Sequence, residues 1–75
     1  MELTSVKNKV VGIDIGVAVT NYAVVDLRGE ILAHESFKTT DYPSVDNYLA
    51  VLCERVVRLV EANGGYESIR SVGVC

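Results

Sequence analysis

The chain has 75 residues, 49% of them hydrophobic and 23% charged, a composition ordinary for one small globular domain and contrary to that of a disordered chain. Its net charge of −3, with seven scattered basic residues, argues against a nucleic-acid partner or an anionic membrane surface. No apolar run approaches the roughly 18 residues needed to span a bilayer, and Met1-Glu2-Leu3-Thr4-Ser5 lacks the basic-then-apolar pattern of a signal peptide, so the expected location is cytoplasmic. Two cysteines, Cys53 and Cys75, are too few for a disulfide scaffold and have no metal-ligand spacing. A chain this short buries only about 60–65% of its unfolded surface and gains from a partner.

Residues 1–8 read as a flexible lead-in and residues 9–75 as a single folded unit. Lys9–Ile15 has apolar residues on both faces, with Val11, Ile13 and Ile15 pointing one way and Val10, Gly12 and Asp14 the other. That pattern predicts a central strand. Asp14 is the one acid in an otherwise apolar run, and burying it is costly without a partner or a task. Val19–Asp26 reads as a second strand, followed by the turn Asp26-Leu27-Arg28-Gly29-Glu30, in which Gly29 supplies positive φ. Ile31–Phe37 makes a third strand, antiparallel to the second. His34 lies on it as a partly exposed strand residue, without a Cys or second His as co-ligand.

Pro43 suits a first helical turn, and Asp41 or Ser44 could cap the helix predicted over Ser44–Ala62. Val45, Leu49, Leu52, Val56, Leu59 and Val60 form its expected apolar stripe, and Glu54 and Arg58 sit four apart on the wet side. Cys53 is a small helix residue in this reading. Asn63-Gly64-Gly65 ends the helix. Ile69–Cys75 reads as a fourth strand, reached by a crossover that can lay it parallel to the first. The expected fold is α/β, in the order β-β-β-α-β. Its mixed sheet has order 3-2-1-4, with strands 1–3 antiparallel, strand 4 parallel to strand 1, and one helix on one face. Such a unit leaves one apolar sheet face uncovered and strand 4 as an open edge, features that predict association.

This order resembles the opening of the actin-like, ribonuclease-H-type ATPase fold. More closely, the chain resembles the N-terminal part of the ROK sugar kinases, which include bacterial glucokinases. The residues that carry the resemblance are Val11-Gly12-Ile13-Asp14-Ile15-Gly16, Thr20, Val24 through Ala33, Lys38-Thr39-Thr40-Asp41-Tyr42-Pro43, the helix, and Ile69 through Val74. The resemblance implies ATP and magnesium as cofactors of the parent family, held at an Asp-x-Gly-Gly-Thr-x-Thr turn. There, backbone amides reach phosphate oxygens where no side chain stands in the way. Asp14, Gly16 and Thr20 match that turn and are the candidate cofactor-binding residues, a vestigial magnesium and ATP-phosphate site. Val17 stands in place of the second glycine, Ala18 in place of the first threonine, and Val19 where a polar residue is usual.

The resemblance places the family's catalytic aspartate, sugar-binding motifs and zinc site beyond this sequence, so no residue here is expected to be catalytic or to ligate a metal. Phosphoryl transfer needs both substrates and the metal positioned together. The resulting expectation is a half-domain that is inactive alone, with no cofactor of its own assigned. It would associate with itself or with a complementing chain through the uncovered sheet face or the strand-4 edge. One alternative is a segment of a functional ATP-dependent glucokinase. A second is a nuclease or resolvase of the ribonuclease-H fold, which would need further carboxylates for two metals.

Overall fold

The computed structural model describes residues 7–75, so the lead-in expected over residues 1–8 lies mostly outside the described part. Strand β1 spans Lys9–Ile15, β2 Val19–Asp26, β3 Ile31–Lys38 and β4 Ile69–Val74, and the one α-helix among the described residues, α1, covers Val45–Glu61. The strands form one sheet in the order β3-β2-β1-β4. Strand β1 pairs antiparallel with β2 and parallel with β4, and β2 pairs antiparallel with β3. The order, directions and helix placement are those the sequence predicts.

Each connection has a local cause. Between β2 and β3, the Asp26 carboxylate accepts from the amides of Arg28 and Glu30, both at 2.9 Å, while Gly29 adopts φ +90°. Those hydrogen bonds, Glu30's foremost, hold the Asp26 carboxyl below the ordinary aspartate range, with Arg28 adding to the effect. The helix is capped by Ser44, whose side chain accepts from the Asn47 amide at 3.5 Å. Pro43 therefore precedes the cap rather than opening the first turn. At the other end, Gly64 takes φ +104° and the Gly65 amide reaches back to the Val60 carbonyl at 2.9 Å, closing the helix.

Alternation along the strands sorts side chains onto two faces. Val11, Tyr22, Val24 and Phe37 are buried beneath Leu52, Leu59 and Val60 of α1, with Ile13, Ala33, Tyr48, Val51, Val56 and Ile69 packed around them. The expected stripe is corrected in its first half: Val45 and Leu49 are exposed, and Tyr48 and Val51 meet the core instead. The stripe that touches the sheet thus begins at Tyr48 and Val51 and runs on through Leu52, Val56, Leu59 and Val60. The Glu54–Arg58 pair forms on the exposed side at 2.7 Å.

Phe37 is the hub of the aromatic packing. Tyr22, Tyr42 and Tyr48 surround it with ring centroids 6.2, 5.7 and 5.8 Å away, and the Arg55 guanidinium lies 5.6 Å over its ring.

The opposite face carries Val10, Gly12 and Asp14 on β1, opposite Val25, Ala23 and Asn21 on β2. On β4 it carries Ser71 and Gly73, opposite Val10 and Gly12. No described helix covers it. Among the described residues no helix is long and apolar enough to cross a membrane.

Candidate functional site

Asp14 and Gly16 lie where β1 gives way to the turn of residues 16–18, and Thr20 is the second residue of β2. The turn is closed by its own backbone, the Gly16 amide donating to the Val19 carbonyl at 3.0 Å. A Cβ added at Gly16 would stand 2.5 Å from that carbonyl oxygen, so glycine is required for the turn itself. On the far side of β1, the Cys75 amide donates to the Ile13 carbonyl at 2.9 Å and the Ile15 amide to the Cys75 carbonyl at 3.0 Å. Cys75 thus continues the pairing of β4 with β1, while its side chain, like that of Cys53, is a free and exposed thiol.

The pleat separates the matched residues. Asp14 pairs with Asn21, and Ile15 pairs with Thr20, so Asp14 and Thr20 point to opposite faces of the sheet. Asp14 is exposed on the open face. Thr20 is fully buried on the helix face. Its hydroxyl lies 2.7 Å from both the Thr39 hydroxyl and the Tyr48 phenol. Thr39 in turn donates from its hydroxyl to the Gly16 carbonyl at 2.9 Å and from its amide to the Ala18 carbonyl at 2.9 Å. A buried hydroxyl is costly without partners, and this network supplies them while fastening the turn to α1 and to the loop after β3.

A second polar thread runs through the same layer. The Tyr22 phenol donates to a Glu35 carboxylate oxygen at 2.9 Å. Burial first, and then that carboxylate, push the phenol above its ordinary range, so Tyr22 stays protonated and remains a donor.

A magnesium–nucleotide phosphate calls for several converging donors and at least one reachable carboxylate. Asp14 offers the carboxylate. The Gly16 amide is already donated to Val19, and the Thr20 hydroxyl is enclosed by Thr39 and Tyr48. In this conformation the three matched residues do not converge on one ligand. Among the described residues no group of three His, Cys, Asp or Glu side chains is placed to hold a metal ion. His34, on the open face, lies 3.2 Å from the Asn21 side-chain oxygen. The burial of Thr20 follows from its parity with Tyr22 and Val24. The partnership with Thr39 and Tyr48 carries no comparable signal, because those residues lie 19 and 28 positions away.

No protein-family model matches the chain, and no curated protein matches it. Among solved structures, the chain is similar to a "putative sugar kinase from Cytophaga hutchinsonii ATCC 33406". The TM-score is 0.68 and the identity 21%, over 88% of this chain and 21% of that one. The chain thus spans about one fifth of that protein's length. At this identity the likeness bears on architecture: the four-stranded mixed sheet with its single helix is a fold that this chain shares with part of that protein.

Proposed function

We propose that the chain is a kinase-type half-domain, related to the nucleotide-binding part of ROK sugar kinases, that is inactive alone and acts by association. The observation that carries this reading is the fate of the matched turn. The fold common to the Cytophaga hutchinsonii protein is retained over 88% of the chain. Of Asp14, Gly16 and Thr20, meanwhile, only Asp14 presents its polar group to solvent. Electrostatic stabilisation of a transferring phosphoryl group needs preorganised donors, and here the donors serve the fold. The uncovered face, with Val10, Ala23 and Val25 half-buried, supplies a reason to associate.

Calorimetry with magnesium–ATP tests the reading, alongside an assay of hexose phosphorylation. The expected result is no saturable heat at millimolar nucleotide and no sugar phosphate. Magnesium-dependent binding that disappears in Asp14→Asn would overturn inactivity. It would favour a second reading, a segment of a functional ATP-dependent sugar kinase, which the exposure of Asp14 supports.

A further inference from the structure

The stop after α1 joins a reactive pair of residues. Of Asn8, Asn21, Asn47 and Asn63, only Asn63 is followed by glycine. A glycine there leaves no side chain to shield its own amide nitrogen, which can attack the side-chain carbonyl of the asparagine before it.

The surroundings of Gly64 favour that attack. Gly64 is exposed, and among the described residues its N–H donates to no backbone acceptor, whereas the amides of Asn63 and Gly65 both donate to the Val60 carbonyl, at 3.0 and 2.9 Å. Its φ of +104° strains any residue with a Cβ, so the helix stop itself calls for the residue that leaves the amide open. A Cβ placed on Gly64 would stand 2.9 Å from the Lys9 side-chain nitrogen and 3.1 Å from the Ser68 hydroxyl oxygen. The Ser68 hydroxyl donates to the Gly65 carbonyl at 2.7 Å, which leaves Lys9 to offset negative charge developing at this peptide. The Asn63 side-chain amide donates to the Leu59 carbonyl at 2.8 Å. That bond folds the side chain back over the last turn of α1, so the reaction proceeds when the helix end opens, and local opening of this kind costs far less than global unfolding.

We infer that Asn63 is a site of spontaneous covalent modification, deamidation through a cyclic imide, promoted by Lys9 and loosening the end of α1. The Gly64 nitrogen loses its proton to water and bonds to the Asn63 side-chain carbonyl carbon. The bond from that carbon to Nδ2 breaks, and Nδ2 takes up a proton and leaves as ammonia. Water then opens the ring, at the side-chain carbonyl to give aspartate or at the main-chain carbonyl to give isoaspartate. One water enters and one ammonia departs. Either product lacks the N–H that Asn63 gives to Leu59, and places a negative charge at the negative end of the helix dipole.

Incubation of the full chain at mildly alkaline pH, followed by peptide mass spectrometry and enzymatic isoaspartate labelling, tests this. Asn63 is expected to be converted while Asn8, Asn21 and Asn47 remain amides. Lys9→Gln should slow the conversion about fivefold, the effect on a barrier of one nearby charge screened by water, and Lys9→Arg, which keeps the charge, should hold the rate. Asn63→Asp, which reproduces one product, should speed hydrogen exchange of the Gly65 amide about fivefold through the lost hydrogen bond and the added charge. An intact Asn63, or conversion no faster than at the other three asparagines, overturns the site. Equal rates in Lys9→Gln and Lys9→Arg overturn the part given to Lys9, and unchanged Gly65 exchange in Asn63→Asp overturns the loosening.

Discussion

The two faces of the sheet come from the same strands, residue by residue in alternation, and have opposite characters. On the helix face the side chains are large and fully enclosed: Val11, Tyr22 and Val24 are at most 2% exposed. On the other face the corresponding positions are Gly12, Ala23 and Gly73, flanked by Val10, Val25 and Asp14. A Cβ added at Gly12 or Gly73 would meet nothing within 4 Å. Among the described residues, then, nothing packs closely enough on the open face to require those glycines. The difference teaches that the stability of the unit resides in one layer, and that the other face tolerates change until something is laid upon it.

Substitutions can break this contrast, beginning with the helix face. Tyr22→Ala removes a buried ring that packs on Phe37 and donates to Glu35. The expected loss is about 3–5 kcal/mol, against a total of roughly 4–11 kcal/mol for a domain of this size. Urea denaturation followed by circular dichroism should find the variant largely unfolded or close to it.

Thr20→Val keeps the shape of the side chain but strips the hydroxyl shared by Thr39 and Tyr48. A loss of about 1–3 kcal/mol is expected from the polar group left without its partner. Adding Tyr48→Phe should cost less than the sum of the two single changes, since the second removes the orphaned phenol. A double-mutant cycle in urea measures that coupling, and strict additivity would show that the hydroxyls do not act together.

On the open face the expected sign reverses. Gly12→Ala enters empty space in a regular strand and reduces the freedom of the unfolded chain, so a gain of about 0.5–1 kcal/mol is expected. A loss in the urea midpoint would mean that this face is already occupied, by another copy for example, and would erase the contrast.

The smallest effect belongs to the hairpin turn. The Asp26 carboxyl has a folded-state pKa below its unfolded value. Its contribution is therefore present above the ordinary aspartate range and is lost as pH falls through the depressed value. Asp26→Asn should flatten that acid limb in a series of urea midpoints against pH, while the limb persists in the unsubstituted chain.

The periodicities of the strands and the placement of glycines made the architecture legible. Val11/Ile13 against Val10/Gly12 already divides the sheet into two faces, and the Gly29 and Asn63-Gly64-Gly65 stops mark real reversals of the chain. The rotation of the helix is less legible, since Val45 and Leu49 fit an ideal stripe while the actual contacts pass through Tyr48 and Val51. Apolar spacing alone admits either stripe, and the aromatic packing of Tyr48 on Phe37 decides between them. The candidate site shows the same limit. Asp14, Gly16 and Thr20 are adjacent in sequence, yet whether their polar groups converge depends on pleat parity and on partners contributed by Thr39 and Tyr48. Long-range hydrogen bonds of that kind leave no periodic trace.

The turn after β1 is held by main-chain atoms and by Thr39: Gly16 to Val19, Thr39 to Gly16 and Ala18. Its own side chains contribute little, and Val17 is 93% exposed. Residues 17 and 18 are therefore decoupled from folding, and selection for a stable domain exerts almost no pressure on their identity. Substitutions at those two positions are therefore expected to leave the fold in place and to change only the surface that the turn presents.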